Sequence, residues 1–162
     1  MFKLLRMNNY YFIVGGSAAW AEIVRILQEK KIPFAWMKSD TEGAVSVPYE
    51  KIDEVIAAGF VPVVIGAECG RSDVKVLKKY RHHVNASPLE IVSVWEHAPL
   101  ATRWQELVLA HDEDCFNEFD YSTEIMRELC RRGFSRDEID KVRALDREIR
   151  GITGAEEAAA DE

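Results

Sequence analysis

The segment Tyr80-Arg81-His82-His83-Val84-Asn85-Ala86-Ser87 places two of the chain's four histidines side by side, just before a strong helix start. Imidazoles titrate near neutrality and ligate metals, so such a pair can carry protons or supply nitrogen ligands. The alternative is one histidine packed in the core and one solvated. A second cluster, His111-Asp112-Glu113-Asp114-Cys115, joins an imidazole to three carboxylates. It could hold a divalent ion or act as acid and base, and Asp112 is expected where the preceding helix stops. The competing explanation is an acidic, solvated helix end, although negative charge there opposes the helix dipole.

Two glycine-bounded turns complete the set. Gly15, Gly16 and Ser17 separate an apolar run from an amphipathic one, and such a strand-to-helix turn offers free N–H groups to a phosphate or carboxylate. Glycines that merely make a tight turn would look the same. A dinucleotide fingerprint would need G-x-G-x-x-G with an acidic residue about 20 positions on, so a dinucleotide-dependent oxidoreductase is disfavoured. In Gly66-Ala67-Glu68-Cys69-Gly70, Glu68 is a ligand, a base, or a charge favoured at a helix start. Cys69 as a nucleophile would need a nearby base and a lowered pKa.

These residues need a frame. Aromatic and β-branched runs predict strands at 10–14, 33–37 and 61–65, the last with Pro62 near its start, where a missing donor is tolerable. A short edge strand is expected at 44–47. Between the main strands, helical spacing predicts an amphipathic helix at 18–30, with Glu22, Arg25 and Gln28 on its polar side, and another at 49–58 ended by Gly59. Strands alternating with helices imply an α/β fold with an open, mostly parallel sheet flanked by helices. Ligands of such sheets bind at the carboxyl ends of the strands, where every cluster above except the 111–115 group begins.

A further helix is expected at 72–79, and the capping pattern Ser87-Pro88-Leu89-Glu90 starts another that runs to about 97. The second half reads as helical. One helix spans about 100–110 with Thr102 or a neighbour as its cap, one ends near 132 before Gly133, and one begins at the capping box Ser135-Arg136-Asp137-Glu138 and runs to 150. Trp36 and Trp95 are expected in the core. The organisation expected is one domain over 1–153, with the sheet in about 10–85, a C-terminal helical segment in about 87–153, and a flexible acidic tail at 154–162.

Bulk properties narrow the function classes. A net charge of −7 with a pI near 5.2 repels a polyanion, so extended nucleic acid is not an expected partner, whereas a small phosphorylated ligand in a local pocket is. No apolar run approaches the roughly 20 residues a bilayer span needs, and no signal peptide is evident, so no membrane is expected and a cytoplasmic location is. Three cysteines without C-x-x-C spacing read as reduced thiols. A homodimer is compatible with all of this.

The order of a parallel sheet, the strand-end pair in Arg81-His82-His83, a capped helix, Thr102-Arg103-Trp104-Gln105-Glu106-Leu107-Val108-Leu109-Ala110-His111-Asp112 and Asp146-Arg147-Glu148-Ile149-Arg150-Gly151-Ile152-Thr153 resembles the DHH phosphoesterase superfamily over residues 10–153. The resemblance implies hydrolysis of phosphodiester or phosphoanhydride bonds with two metal ions, usually manganese, held by aspartates and histidines on loops at the strand ends. It aligns the Asp-His-His motif with Arg81-His82-His83 and a later aspartate with Asp112. The chain departs from the pattern in two places. Arg81 replaces a carboxylate, and Gly15-Gly16-Ser17 stands where an Asp-rich motif is expected after the first strand. Glu68 could stand in for a middle aspartate.

Two functions are therefore expected. One is a DHH-like phosphoesterase for a small nucleotide or other phosphorylated compound. In it His82, His83 and Asp112 are ligands or acid/base groups, His82, His83, Asp112 and Glu68 could hold a divalent metal, and Gly15, Gly16 and Ser17 cradle phosphate. The other is a non-catalytic nucleotide-binding, anion-binding or protein-interaction module in which Arg81 clamps the anion.

Overall fold

The computed structural model describes residues 8–37, 47–77, 87–114 and 123–150. The expected edge strand at 44–47, apart from Val47, lies outside them, as do the Arg81-His82-His83 motif and the acidic tail. Strands β1 (Asn9–Val14), β2 (Phe34–Met37), β3 (Val61–Ile65) and β4 (Lys75–Leu77) form an all-parallel sheet in the order β2-β1-β3-β4. Helices α1 (Ala18–Glu29), α2 (Tyr49–Ala57), α3 (Pro88–Trp95), α4 (Arg103–Asp114), α5 (Thr123–Arg131) and α6 (Arg136–Arg150) flank it. The expected α/β class is what the chain adopts.

Side-chain alternation along β1 sorts the core into two layers. Tyr11 and Ile13 face a cluster with α1, α3, α4, α5 and α6, whereas Phe12 and Val14 face a smaller one with Ile52 and Val55 of α2. A strand flanked on both faces cannot afford polar positions, which is why these residues form an unbroken apolar run. The chain moves from β1 to β2 in one direction across the sheet and from β2 past β1 to β3 in the other. Crossovers of one hand then require α1 and α2 on opposite faces, as observed. Pro62 pairs with Tyr10 on β1, while the β4 ladder starts one residue later at Val63, so the missing N–H of proline costs the sheet nothing.

Cap chemistry sets most helix ends as the sequence predicts. Ser135 N–H donates to Glu138 at 3.0 Å and Glu138 N–H to Ser135 Oγ at 3.2 Å, a complete capping box for α6. Thr102 and Gln105 form the same reciprocal pair before α4, at 3.1 and 3.2 Å. Ser87 Oγ accepts from Leu89 N–H, with Pro88 at the first helical position. Gly59 and Gly133 end α2 and α5 with φ of 89° and 93°.

Four expectations are corrected. The helix expected at 72–79 is not formed; residues 75–77 are the edge strand β4. Val74 and Val76 pack in the α2-side cluster and Leu77 in the other, while the Lys75 ammonium lies 4.8 Å from the Trp95 ring centre. That two-residue alternation, together with free hydrogen-bonding groups along β3, outweighs a weak helical signal. The connection at 66–74 has no helix and is pinned by Arg71, which pairs with Asp53 and Asp73 at 2.7 Å each and lies over the Tyr49 ring. Secondly, Trp95 is 40% exposed, because α3 turns it outward onto the Lys75 side chain, although Trp36 does pack against the core. Thirdly, α4 does not stop before Asp112 but continues to Asp114. Lastly, Glu22 is not on the solvent side of α1 but 3% exposed, a burial offset by Arg25 and by Gln105 Nε2 at 3.1 Å.

Candidate functional site at the carboxyl edge of the sheet

Between β1 and β3 the chain reverses its direction of travel across the sheet, and there open parallel sheets leave a crevice at the strand ends. In this chain the turn Gly15-Gly16-Ser17 follows β1 and Gly66 follows β3 at that switch point. Gly66 has φ of 91°, and a Cβ on it would lie 1.9 Å from the Val14 carbonyl oxygen. Side-chain atoms on Gly15 would fall within the Trp20 indole, at 2.2 Å from its nearest atom, and the same indole approaches Gly66. Both glycines therefore let Trp20, from the first turn of α1, lie across the strand ends. Trp36 Nε1 donates to the Gly15 carbonyl at 2.7 Å and Gly15 N–H to Met37 at 3.1 Å, which fixes the turn to β2.

The amino terminus of α1 is occupied from within the chain. Asp146, on α6, accepts the Ala18 N–H on Oδ1 at 2.9 Å, across 128 residues of sequence. Its Oδ2 lies 3.6 Å from His111 Nε2 on α4. All three groups are buried. A carboxylate placed there neutralises one of the orphan N–H groups of the first turn and meets the positive end of the dipole. Ser17, the residue at the N-cap position, makes no side-chain cap, and its buried hydroxyl has no hydrogen-bond partner among the described residues. One turn further along α1, Glu22 is bound by Arg25 and Gln105, so α1 is clasped twice by polar groups amid an apolar interface with α4 and α6.

The expected site residues divide as follows. Gly15, Gly16 and Ser17 lie at the switch point, and the α4 segment carrying Asp112 is brought to the same place through His111 and Asp146. Asp112 itself is half-buried. Glu68 is exposed on the connection that leaves β3 at this edge, and Cys69 beside it is half-buried. Arg81, His82 and His83 lie outside the described residues; the strand that precedes them, β4, ends at Leu77 on this edge. Among the described residues no three His, Cys, Asp or Glu side chains converge as a metal-binding group. Asp112 and Glu68 alone do not make the metal centre that the resemblance implies.

Asp146 and Trp20 are the members of this edge that residue types and spacing did not single out. Asp146 had a signal: with Ile139, Val142 and Ile149 it falls on one stripe of α6, an ionisable group in a core register. No family model, curated protein or solved structure matches the chain. Among the described residues no helix is long and apolar enough to cross a membrane.

Proposed function

We propose that the protein is a DHH-like phosphoesterase acting at the carboxyl edge of the sheet on a small nucleotide or another phosphorylated compound. One observation carries this: the switch-point turn, the α4 segment with Asp112 and the end of the strand leading to His82 and His83 all belong to one edge, although they are far apart in sequence. Water attacks phosphorus and gives its proton to Asp112; the ester P–O bond breaks, and the leaving oxygen takes a proton from His82 or His83. Arg81 pairs with the non-bridging phosphate oxygens. Cys69 and Cys130, which form no disulfide among the described residues, suit a cytoplasmic setting.

The test is hydrolysis of bis(p-nitrophenyl) phosphate and of short dinucleotides, with manganese or with chelator, by the wild-type chain, by His82→Ala with His83→Ala, and by Asp112→Asn. A loss of about 10²-fold or more in each variant is expected. Wild-type activity that survives both sets of substitutions would overturn the assignment of these residues.

A second function is favoured by a different observation. Trp20 covers Gly15, and Asp146 already takes the Ala18 N–H, which suits a non-catalytic module whose anion is gripped by Arg81. Nucleotide binding that Arg81→Ala abolishes, without hydrolysis of any of these substrates, would establish it.

A further inference from the structure

The contact between Asp146 and α1 stands where a ligand's phosphate is expected to sit, and we infer that it is an autoinhibitory latch: a phosphate reaches the amino terminus of α1 only by displacing the Asp146 carboxylate. The inference rests on the carboxyl edge being the ligand site.

Three features support it. A helix start at the switch point of a parallel sheet is where anionic ligands bind, and a carboxylate carried by α6 is observed on it. The usual occupant of that position, the N-cap side chain, is not engaged: Ser17 is 5% exposed, and its hydroxyl, which has no partner among the described residues, is a polar group that a phosphate oxygen can satisfy. The carboxylate is also not tied to α1 alone. Its second oxygen lies towards His111 on α4, so leaving Ala18 does not strip Asp146 of every polar neighbour. A ligand that must displace an internal competitor has its affinity scaled down by the fraction of molecules with the latch open, so the rarer the open state, the weaker the binding.

The test is a titration with inorganic phosphate followed by the amide signals of Ala18 and Ala19 in 15N-labelled protein. Wild type is compared with Asp146→Ala and with Asp146→Asn, which keeps an acceptor but removes the charge and preserves the fold if the alanine variant does not. Phosphate should shift these amides in the variants with an apparent Kd at least about tenfold lower than in wild type. Amides that stay unmoved in a folded variant, or equal affinity in wild type and variants, would overturn the latch. No turnover is involved, so the outcome is separate from that for hydrolysis. Tighter phosphate binding in the variants together with an inactive wild type removes the phosphoesterase and leaves the latch standing.

Discussion

Asp146 Oδ1 accepts the main-chain N–H of Ala18 at 2.9 Å, so the helix that leaves the first strand is capped by a residue of the last described helix. Ordinarily an N-cap is local and its loss frays one helix; here it also joins α1 to α6, and through His111 to α4. Asp146→Ala should therefore lower unfolding stability by roughly 1–3 kcal/mol, the cost of an orphaned buried N–H. Urea unfolding followed by circular dichroism would show it. An unchanged midpoint would mean that the contact contributes nothing to the fold.

Gly66 is fixed by two independent constraints, its φ of 91° and the carbonyl of Val14. Gly66→Ala combines a strained conformation with a main-chain clash and should cost about 3 kcal/mol or more. Gly59→Ala is the control, because its φ is also positive but nothing lies within 4 Å of the new Cβ. A thermal melt should therefore show a larger drop in Tm for Gly66→Ala than for Gly59→Ala.

The buried Glu22 carboxylate depends on Gln105, whose amide donates to it at 3.1 Å, and on Arg25. Truncation in Gln105→Ala leaves a buried charge short of one donor and removes half of the Thr102 capping box, at a cost of roughly 2 kcal/mol. Adding Glu22→Ala to that variant should cost less than Glu22→Ala costs in the wild-type chain, since the two residues are in contact. A double-mutant cycle in urea measures the difference, and strict additivity would show that they act independently.

Glu138 on α6 should make stability depend on acid pH. Glu138 is held at about 2, against an ordinary 4.5, first by its hydrogen bond to Arg103 and then by the Ser135 backbone N–H. A carboxyl whose pKa is depressed by folding stabilises the native state above its unfolded value and loses that contribution as pH falls through its folded one. Stability should therefore decline between pH 4.5 and about 2, and Glu138→Gln should flatten that part of the profile. Denaturant midpoints collected across this window would reveal whether the slope changes.

Where structure follows from neighbours in the chain, the sequence is sufficient. Apolar runs place β1, β2 and β3; glycines and reciprocal Ser/Glu or Thr/Gln pairs mark the ends of α2, α4, α5 and α6; and the alternation of strands and helices yields the parallel sheet. Local periodicity and cap chemistry act over three or four residues, so they are visible in any window of that size. Tertiary structure decides what depends on a distant partner. Residues 75–77 become a strand because β3 offers them a ladder. Glu22 is buried because Gln105 waits 83 residues away, and Asp146 reaches Ala18 because α6 packs beside α1. A charged side chain in a core register is costly until its partner is in place, and only folding brings that partner there.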